Sequence, residues 1–434
     1  MQYKSLIEAL ELPLVIQEKL LTYELTYQNE FLNEIEGLRK IETAFSTHQK
    51  LKQTLDDPNG LLMLYIFSKA IQENHKTYQA LKISDRIYIE TYKAITRFIN
   101  EYYQETQTYL FERDWWAYRQ VAMRIFRIGE LEYELTYEKN EPIISIHIPS
   151  DARLSKARIE ASLILARLFI NSRFIDYQNV LMKTHTWLLS PALKGLLAPS
   201  SNILCFQSYF DIDEVFETDT SFLHWVFHTK ETDFKALETK TSLQKNIKTH
   251  ILKGGYIGAA SGTINFDQLE YHLTIPNPSH ETMIMAIKEE LKLEGAYNGT
   301  SDLDKFDTYS KWLQSIKNPY GYTVKTTQYL LADRNQNIYG FVHIRHEIDE
   351  ELSQTYGHVS VTIRPLYRHK GYAQLALSLA LKRLSELGQH QIMVSSEETL
   401  AASINTIESC FGIYERTTLD TYIHQPVRVY LINI

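Results

Sequence analysis

Hydrophobic spacing along the chain changes character twice, near residues 126 and 268. Over residues 1 to about 125, Leu, Ile and Tyr recur every third or fourth position. Gly and Pro are almost absent there, and this pattern predicts helices. Leu61, Leu62, Leu64, Ile66, Phe67 and Ile71 trace one helical stretch, and Tyr88, Ile89, Tyr92, Ile95 and Phe98 another. Asp57-Pro58-Asn59-Gly60 is the turn before the first of these. The aromatic cluster Trp115-Trp116-Ala117-Tyr118 is expected to pack in the core.

From about 126 the period shortens to two. Leu131–Tyr137 and Ile144–Ile148 alternate as strands do, and the turn at Lys139-Asn140-Glu141-Pro142 makes them a hairpin that Pro149 closes. An amphipathic helix is expected over Leu154–Ile170, and further strands over Ile203–Tyr209 and His224–His228. Thr241–Leu252 reads as a helix capped by Thr241. The glycine-rich stretch Lys253–Gly262 lacks a Gly-Lys-Ser/Thr ending and dinucleotide spacing. It is expected to be a hinge or a bulged strand.

A third pattern starts at about 268. It predicts a strand at Leu269–Ile275, then a turn at Pro276-Asn277-Pro278-Ser279 that caps a helix from His280 to about Leu293. Strands follow at Gln328–Ala332, Ile338–Arg345 and 358–364, then a helix at 371–387. A strand at Gln391–Ser395, a helix at about 400–410 and a strand at Val427–Ile432 end the chain. The expected division is a helical domain at 1–125, a mixed domain at 126–265 and a second mixed domain at 268–434, an α+β chain.

Composition narrows the function classes. A formal net charge of −8 argues against a general nucleic-acid binder, which needs a basic face. It fits ordinary solubility and is compatible with a cationic amine substrate. Cys205 and Cys410 lie far apart without metal-ligand spacing, so they read as buried free thiols in a reducing compartment. The apolar run Ala161–Ile170 is too short to span a bilayer and contains Arg167. A cytoplasmic protein with no membrane and no nucleic-acid partner is expected.

Chemistry concentrates in Gly357–Ala373. The strand His358–Ile363 meets Pro365, which has no N–H to give a neighbouring strand, so pairing must weaken there. The helix opening at Gly371 presents backbone N–H groups without internal partners, and its dipole adds positive potential. A diphosphate is stabilised at such a place. Gly371 is expected to let phosphates approach the backbone, Ala373 keeps the wall small, and Arg368, His369 and Lys370 add charge.

The order Ile344-Arg345-His346, then Gly357-His358-Val359-Ser360-Val361, then Arg364-Pro365-Leu366-Tyr367-Arg368-His369-Lys370-Gly371-Tyr372-Ala373 resembles the GNAT superfamily of N-acetyltransferases from about residue 268 onward. The resemblance implies acetyl-CoA, or another acyl-CoA, as cofactor and transfer of its acyl group to an amine. It implies that the backbone of Val361 and Ile363 pairs with the pantetheine arm and that Arg368, His369, Lys370, Gly371, Tyr372 and Ala373 hold the diphosphate. The acceptor it implies is a small-molecule or peptide amine. Residues 297–320 and 348–356 and the N-terminal regions are expected to set acceptor specificity.

The chain departs from the family pattern in the second motif. Ser403 is present as a cofactor-binding candidate, but Thr399 or Leu400 stands where Asn is usual. Ile407 or Glu408 falls where many members carry an acid Tyr, which leaves Tyr414, past Gly412, as a weak candidate acid. His358 is the candidate base because imidazole titrates near neutrality, with His346 and Glu347 as alternatives. His343-x-x-His346 is a poor metal pair because strand positions three apart face opposite ways, and no metal is expected. The missing Asn and Tyr motivate an alternative, a catalytically weak or inactive CoA-binding regulatory module.

Residues 1 to about 265 resemble a bacterial N-acyltransferase pairing of a helical domain with a GNAT-like domain. The stretches Ser145–Pro149, Trp187–Pro191, Ser201–Gln207 and Thr241–Gln244 carry this resemblance. The second region has no complete CoA loop, so it is expected to shape a substrate cleft or a dimer surface, and a homodimer is among the expected assemblies.

Overall fold

The computed structural model describes residues 1–229, 231–293, 295, 297–317, 324–420 and 424–434. The fold is α+β, and the chain forms two compact units. The first comprises Met1–Ile128, Glu132–Leu135 and Ser395–Asn433. The second comprises Gly129–Leu131, Thr136–Val394 and Ile434.

In the first unit the expected helical region is helical, from Tyr3–Ala9 to Asp114–Val121. The helix Leu61–Ala80 is buried on most of its sides, which is why its apolar residues run nearly continuously instead of forming one stripe. Asn74 ties the interior together, donating from Nδ2 to the Tyr92 hydroxyl (3.1 Å) and to the Val121 carbonyl (2.7 Å). The aromatic cluster differs from expectation. Trp115 is 54% exposed, and the Arg119 guanidinium stacks 3.8 Å over the Trp116 ring. Strands β1 (Ile125–Ile128) and residues 132–135 of β2 (Leu131–Glu138) also belong to this unit.

The second unit opens with β3 (Glu141–His147), the helix Lys156–Arg173 and β4 (Met182–Thr186), which runs parallel to β3 through Ile144↔Met182. This helix is buried nearly all round, with Glu160 and Ser162 inside as well as its apolar residues, so it is not the one-sided helix expected. The stretch expected as a strand at Ile203–Tyr209 is the helix Asn202–Gln207, because the Ser201 side chain accepts from the Ile203 N–H and starts a turn. The strand comes after it, as β5 (Phe210–Phe216). The expected strand at His224–His228 is a single π turn, Leu223–Phe227, stopped by His228 in the left-handed region. Short apolar runs such as these do not separate helix from strand by period. Thr241 caps the helix Ser242–Leu252 in a reciprocal capping box with Gln244. The glycine-rich segment leads into β6 (Ala259–Ile264), which pairs with β4 on one side and β5 on the other.

The rest of the second unit is built on a four-stranded antiparallel sheet, β10-β9-β8-β7. Its strands are β7 (Tyr271–Thr274), β8 (Thr326–Asp333), β9 (Ile338–Arg345) and β10 (Val359–Ile363). The helices Glu281–Lys292 and Tyr309–Lys317 cover the face that carries Leu330 and Phe341, with Trp312 fully buried between them. The helix Tyr372–Glu386 packs on the opposite face, where Arg383 donates to the Tyr329 hydroxyl (3.3 Å). Beyond β10 the chain forms β11 (Gln391–Glu397), then β12 (Ile413–Asp420) and β13 (Gln425–Asn433), an antiparallel pair in the first unit. Among the described residues, no helix is long and apolar enough to cross a membrane.

Candidate active site

The site begins with the way β10 is held. Arg345 donates its backbone N–H to the His358 carbonyl (2.8 Å), and Arg364 donates to the Tyr339 carbonyl (3.0 Å). With the register Ser360↔His343 and Thr362↔Phe341, the even-numbered residues of β10 bond to β9. The backbone groups of Val359, Val361 and Ile363 therefore face away from the sheet. Among the described residues β10 meets β11 only at its beginning, through the bridge Gly357↔Val394. Pairing ends after that bridge, so β10 has an open edge beside the expected proline.

His358 is the joint of this bridge. Its N–H donates to the Met393 carbonyl (2.8 Å), and its Nδ1 accepts from the Met393 N–H (3.0 Å). Burial pushes the imidazole pKa down and nearby Arg345 pushes it down further, with a net shift downward. The neutral ring then carries its proton on Nε2, and the nitrogen a base would use is engaged. Replacing His358 by Ala leaves the Met393 N–H without this acceptor. The expected loss is about 1–3 kcal/mol, read as a lower midpoint in urea unfolding.

The loop after β10 is pinned at both ends. Arg364 makes a two-pronged contact with Glu290, Nε to Oε2 (2.9 Å) and Nη2 to Oε1 (2.7 Å), and Nη1 donates to the Ile338 carbonyl (2.8 Å). After the turn Pro365–Tyr367, Arg368 folds back so that Nε donates to the Ile363 carbonyl (3.0 Å). That leaves the Ile363 N–H, and both groups of Val361, as the outward-facing backbone on this part of the edge. Lys370 Nζ donates to the Leu366 carbonyl (2.8 Å). Gly371 has φ +95° and immediately precedes the helix Tyr372–Glu386.

The glycine's reason differs from the one expected. Its φ belongs to the region glycine favours, and a β-carbon there would stand 2.7 Å from Arg158 Cγ. A side chain from a distant segment, not only open space for phosphate, fills that wall. Tyr372 is fixed by a group of tyrosines the sequence did not single out. It stacks on Tyr339 at 4.6 Å, and its hydroxyl lies 3.2 Å from that of Tyr271. Tyr339 in turn donates to Asp333 Oδ2 (2.9 Å).

The face of the sheet under Trp312 carries a polar row that sequence reasoning missed, buried at Gln328 and His343 and half-buried at Ser360. Gln328, His343 and Ser360 stand side by side across β8, β9 and β10. Ser301 Oγ donates to Gln328 Oε1 (2.6 Å), and Arg345 Nη1 donates to the Gly357 carbonyl (3.1 Å) and to Ser360 Oγ (3.3 Å). Burial, with Arg345 beside it, pushes the His343 pKa down to about 3, so this ring is neutral. Thr362 Oγ1 donates to the Asn298 carbonyl. Gly299, at φ +80°, lies against the strand; a β-carbon on it would meet the Ser360 carbonyl oxygen at 2.8 Å. The segment expected to shape acceptor choice thus begins on β10, although its residues 318–320 lie outside the described residues.

Of the expected site residues, His358, Val361, Ile363 and Arg368–Ala373 fall together in the second unit. Ser403, on the helix Ala401–Ser409, and Tyr414, on β12, fall in the first. Tyr414 is 53% exposed, and its hydroxyl pairs with Thr417 Oγ1 (3.0 Å).

Three family models match consecutive stretches of the chain. They are the N-acyltransferase N-terminal domain (residues 1–123), the GNAT-like C-terminal domain (125–264) and the Acetyltransferase (GNAT) family (292–413). Solved structures similar to the chain include an acyltransferase in complex with decanoyl-CoA and teicoplanin, at 17% identity over 60% of this chain and 86% of that one, TM-score 0.48. Another is an acyltransferase in complex with decanoyl-CoA, at 21% identity over 60% and 86%, TM-score 0.48. A third is spermidine/spermine N-acetyltransferase SpeG from Vibrio cholerae in complex with manganese ions, at 15% identity over 38% and 92%, TM-score 0.29. No curated protein matches the sequence. The sheet, the loop and the family matches together define an acyltransferase enzyme. The chain belongs to the GNAT superfamily of N-acyltransferases.

Proposed function

We propose that the protein transfers an acetyl group from acetyl-CoA to the amine of a small molecule or peptide, by direct attack in a ternary complex. The observation that carries this reading is the open edge of β10, where outward backbone groups lead straight into the loop and helix start at Gly371. Acyl-CoA supplies an activated thioester, and the amine displaces its sulfur. The Val361 backbone and the Ile363 N–H would hold the pantetheine arm as an added strand holds to a sheet edge. Backbone N–H groups on the same edge are the donors available to polarise the carbonyl. Residues Arg368–Ala373 would hold the diphosphate, and the row Gln328, His343, Arg345 and Ser360 would line the acceptor side.

In this reading the amine loses its proton to solvent and His358 keeps the two strands joined, which follows from its occupied Nδ1. Ser403 and Tyr414 remain proposed as cofactor contact and acid, with residues 268–434 as the catalytic segment, 126–265 as its GNAT-like neighbour and 1–125 as the helical domain. Neither cysteine is in a disulfide, with Cys410 buried and Cys205 half-buried, which suits a reducing cytoplasm.

Isothermal titration with acetyl-CoA should show micromolar to submillimolar binding, and thiol release should rise with one member of a panel of amines and peptides. No binding at millimolar acetyl-CoA sinks the proposal, and binding without turnover on any amine favours a regulatory module. His358→Asn is expected to keep the shape of the pH–rate profile. Loss of its acidic limb would return His358 to the role of base.

A further inference from the structure

Resting on the donor reading above, we propose that Arg158 completes the diphosphate site. It belongs to the segment that matches the GNAT-like C-terminal domain, more than 200 residues before the loop it serves. The helices Lys156–Arg173 and Tyr372–Glu386 pack on one another within the second unit. The Arg158 stem fills the place a β-carbon on Gly371 would take. Its Nη2 reaches the His369 carbonyl (3.4 Å), and its Nη1 donates to Glu130 Oε1 (3.1 Å). Glu130 is itself held, because its Oε2 accepts from the Arg153 N–H (2.9 Å). The guanidinium is therefore aimed at the loop and not swinging in solvent.

The charges around it make Arg158 the informative one. Arg368 and Lys370 turn donors onto the carbonyls of Ile363 and Leu366, within their own loop. Lys156, on the same helical turn, is paired with Glu270 (2.7 Å) as Arg158 is with Glu130, but Arg158 also reaches the loop at the His369 carbonyl. Arg158 keeps a side chain 24% exposed beside the helix start, and its planar fork of five donors suits phosphate oxygens. A diphosphate lying on the N–H groups at Gly371 would meet a cation from outside the acetyltransferase segment. The GNAT-like domain then has a function on the donor side, without a CoA loop of its own.

The test uses the full chain with three ligands: CoA, dephospho-CoA, which lacks the 3′-phosphate, and acetyl-pantetheine, which lacks all phosphates. Arg158→Gln, and Arg158→Met, which keeps the stem packed on Gly371, should each weaken CoA and dephospho-CoA by about tenfold. Turnover with acetyl-pantetheine should match the unaltered protein, and Arg158→Lys should recover part of the lost affinity. An equal loss with acetyl-pantetheine would make Arg158 a packing residue only and overturn the proposal. So would unchanged CoA affinity, or a loss confined to CoA, which would move the contact to the 3′-phosphate. If the unaltered protein binds no CoA, the donor reading itself fails.

Discussion

Gly371→Val is expected to weaken acetyl-CoA binding by about a hundredfold and to lower the thermal midpoint at the same time. Two physical effects add at this residue. A β-branched residue at φ +95° is strained by roughly 1–3 kcal/mol wherever it occurs. Its Cβ would also stand 2.7 Å from Arg158 Cγ, well inside contact distance. Relief requires the helix start to move, and the N–H groups there are the ones proposed to meet the diphosphate. Titration calorimetry with acetyl-CoA reads the loss of binding, and a melting curve reads the loss of stability. Comparing the double variant Gly371→Ala with Arg158→Ala against Arg158→Ala alone separates strain from crowding, because the crowding is absent from both and only the double variant carries the strain. Binding should be weaker in the double variant. Affinity like that of the unaltered protein in Gly371→Val would show that the loop amides are not where the donor sits.

How far sequence reasoning reached depends on whether a feature is local. The order strand, basic loop, glycine and helix is written in adjacent residues, so the loop at 364–373 could be read directly. The strands β8, β9 and β10 were legible because each is a compact apolar run bounded by turn residues. β12 was not, because half of Ile413–Asp420 is exposed and it carries too few apolar residues to alternate. The helix Asn202–Gln207 was misread because a serine cap, not hydrophobic period, decides its form. Long-range features left no local trace. The row Gln328, His343, Ser360 exists only through the register of three strands, with a bulge between Leu331 and Ala332. Arg158 meets Gly371 only because two helices pack together. The engagement of His358 Nδ1 depends on Met393, 35 residues away.

The same packing makes Glu160 the residue whose loss should cost most. It lies on the helix that carries Arg158, fully buried, and accepts three hydrogen bonds. Tyr209 donates its hydroxyl (2.9 Å), and Glu270 and Tyr271 donate their backbone N–H groups (2.7 and 3.0 Å). The carboxyl thus fastens the helix to the beginning of β7. Glu160→Ala leaves two buried donors and one half-buried donor without this acceptor, and the expected loss is roughly 3–5 kcal/mol at pH 5. The size should depend on pH. Burial pushes the Glu160 pKa from 4.5 up to about 7, with the three donors only partly opposing it. A carboxyl with a raised pKa binds its proton more tightly folded than unfolded. Its contribution is full below pH 4.5 and is lost as pH rises through 7, by roughly 3 kcal/mol for this shift. The gap between the unaltered protein and Glu160→Ala in urea unfolding should therefore narrow from pH 5 to pH 8. Parallel pH curves for the two proteins would refute the raised pKa. Because the same helix presents Arg158 to the loop, CoA affinity in Glu160→Ala should fall too, whereas acetyl-pantetheine turnover in the molecules that remain folded should not.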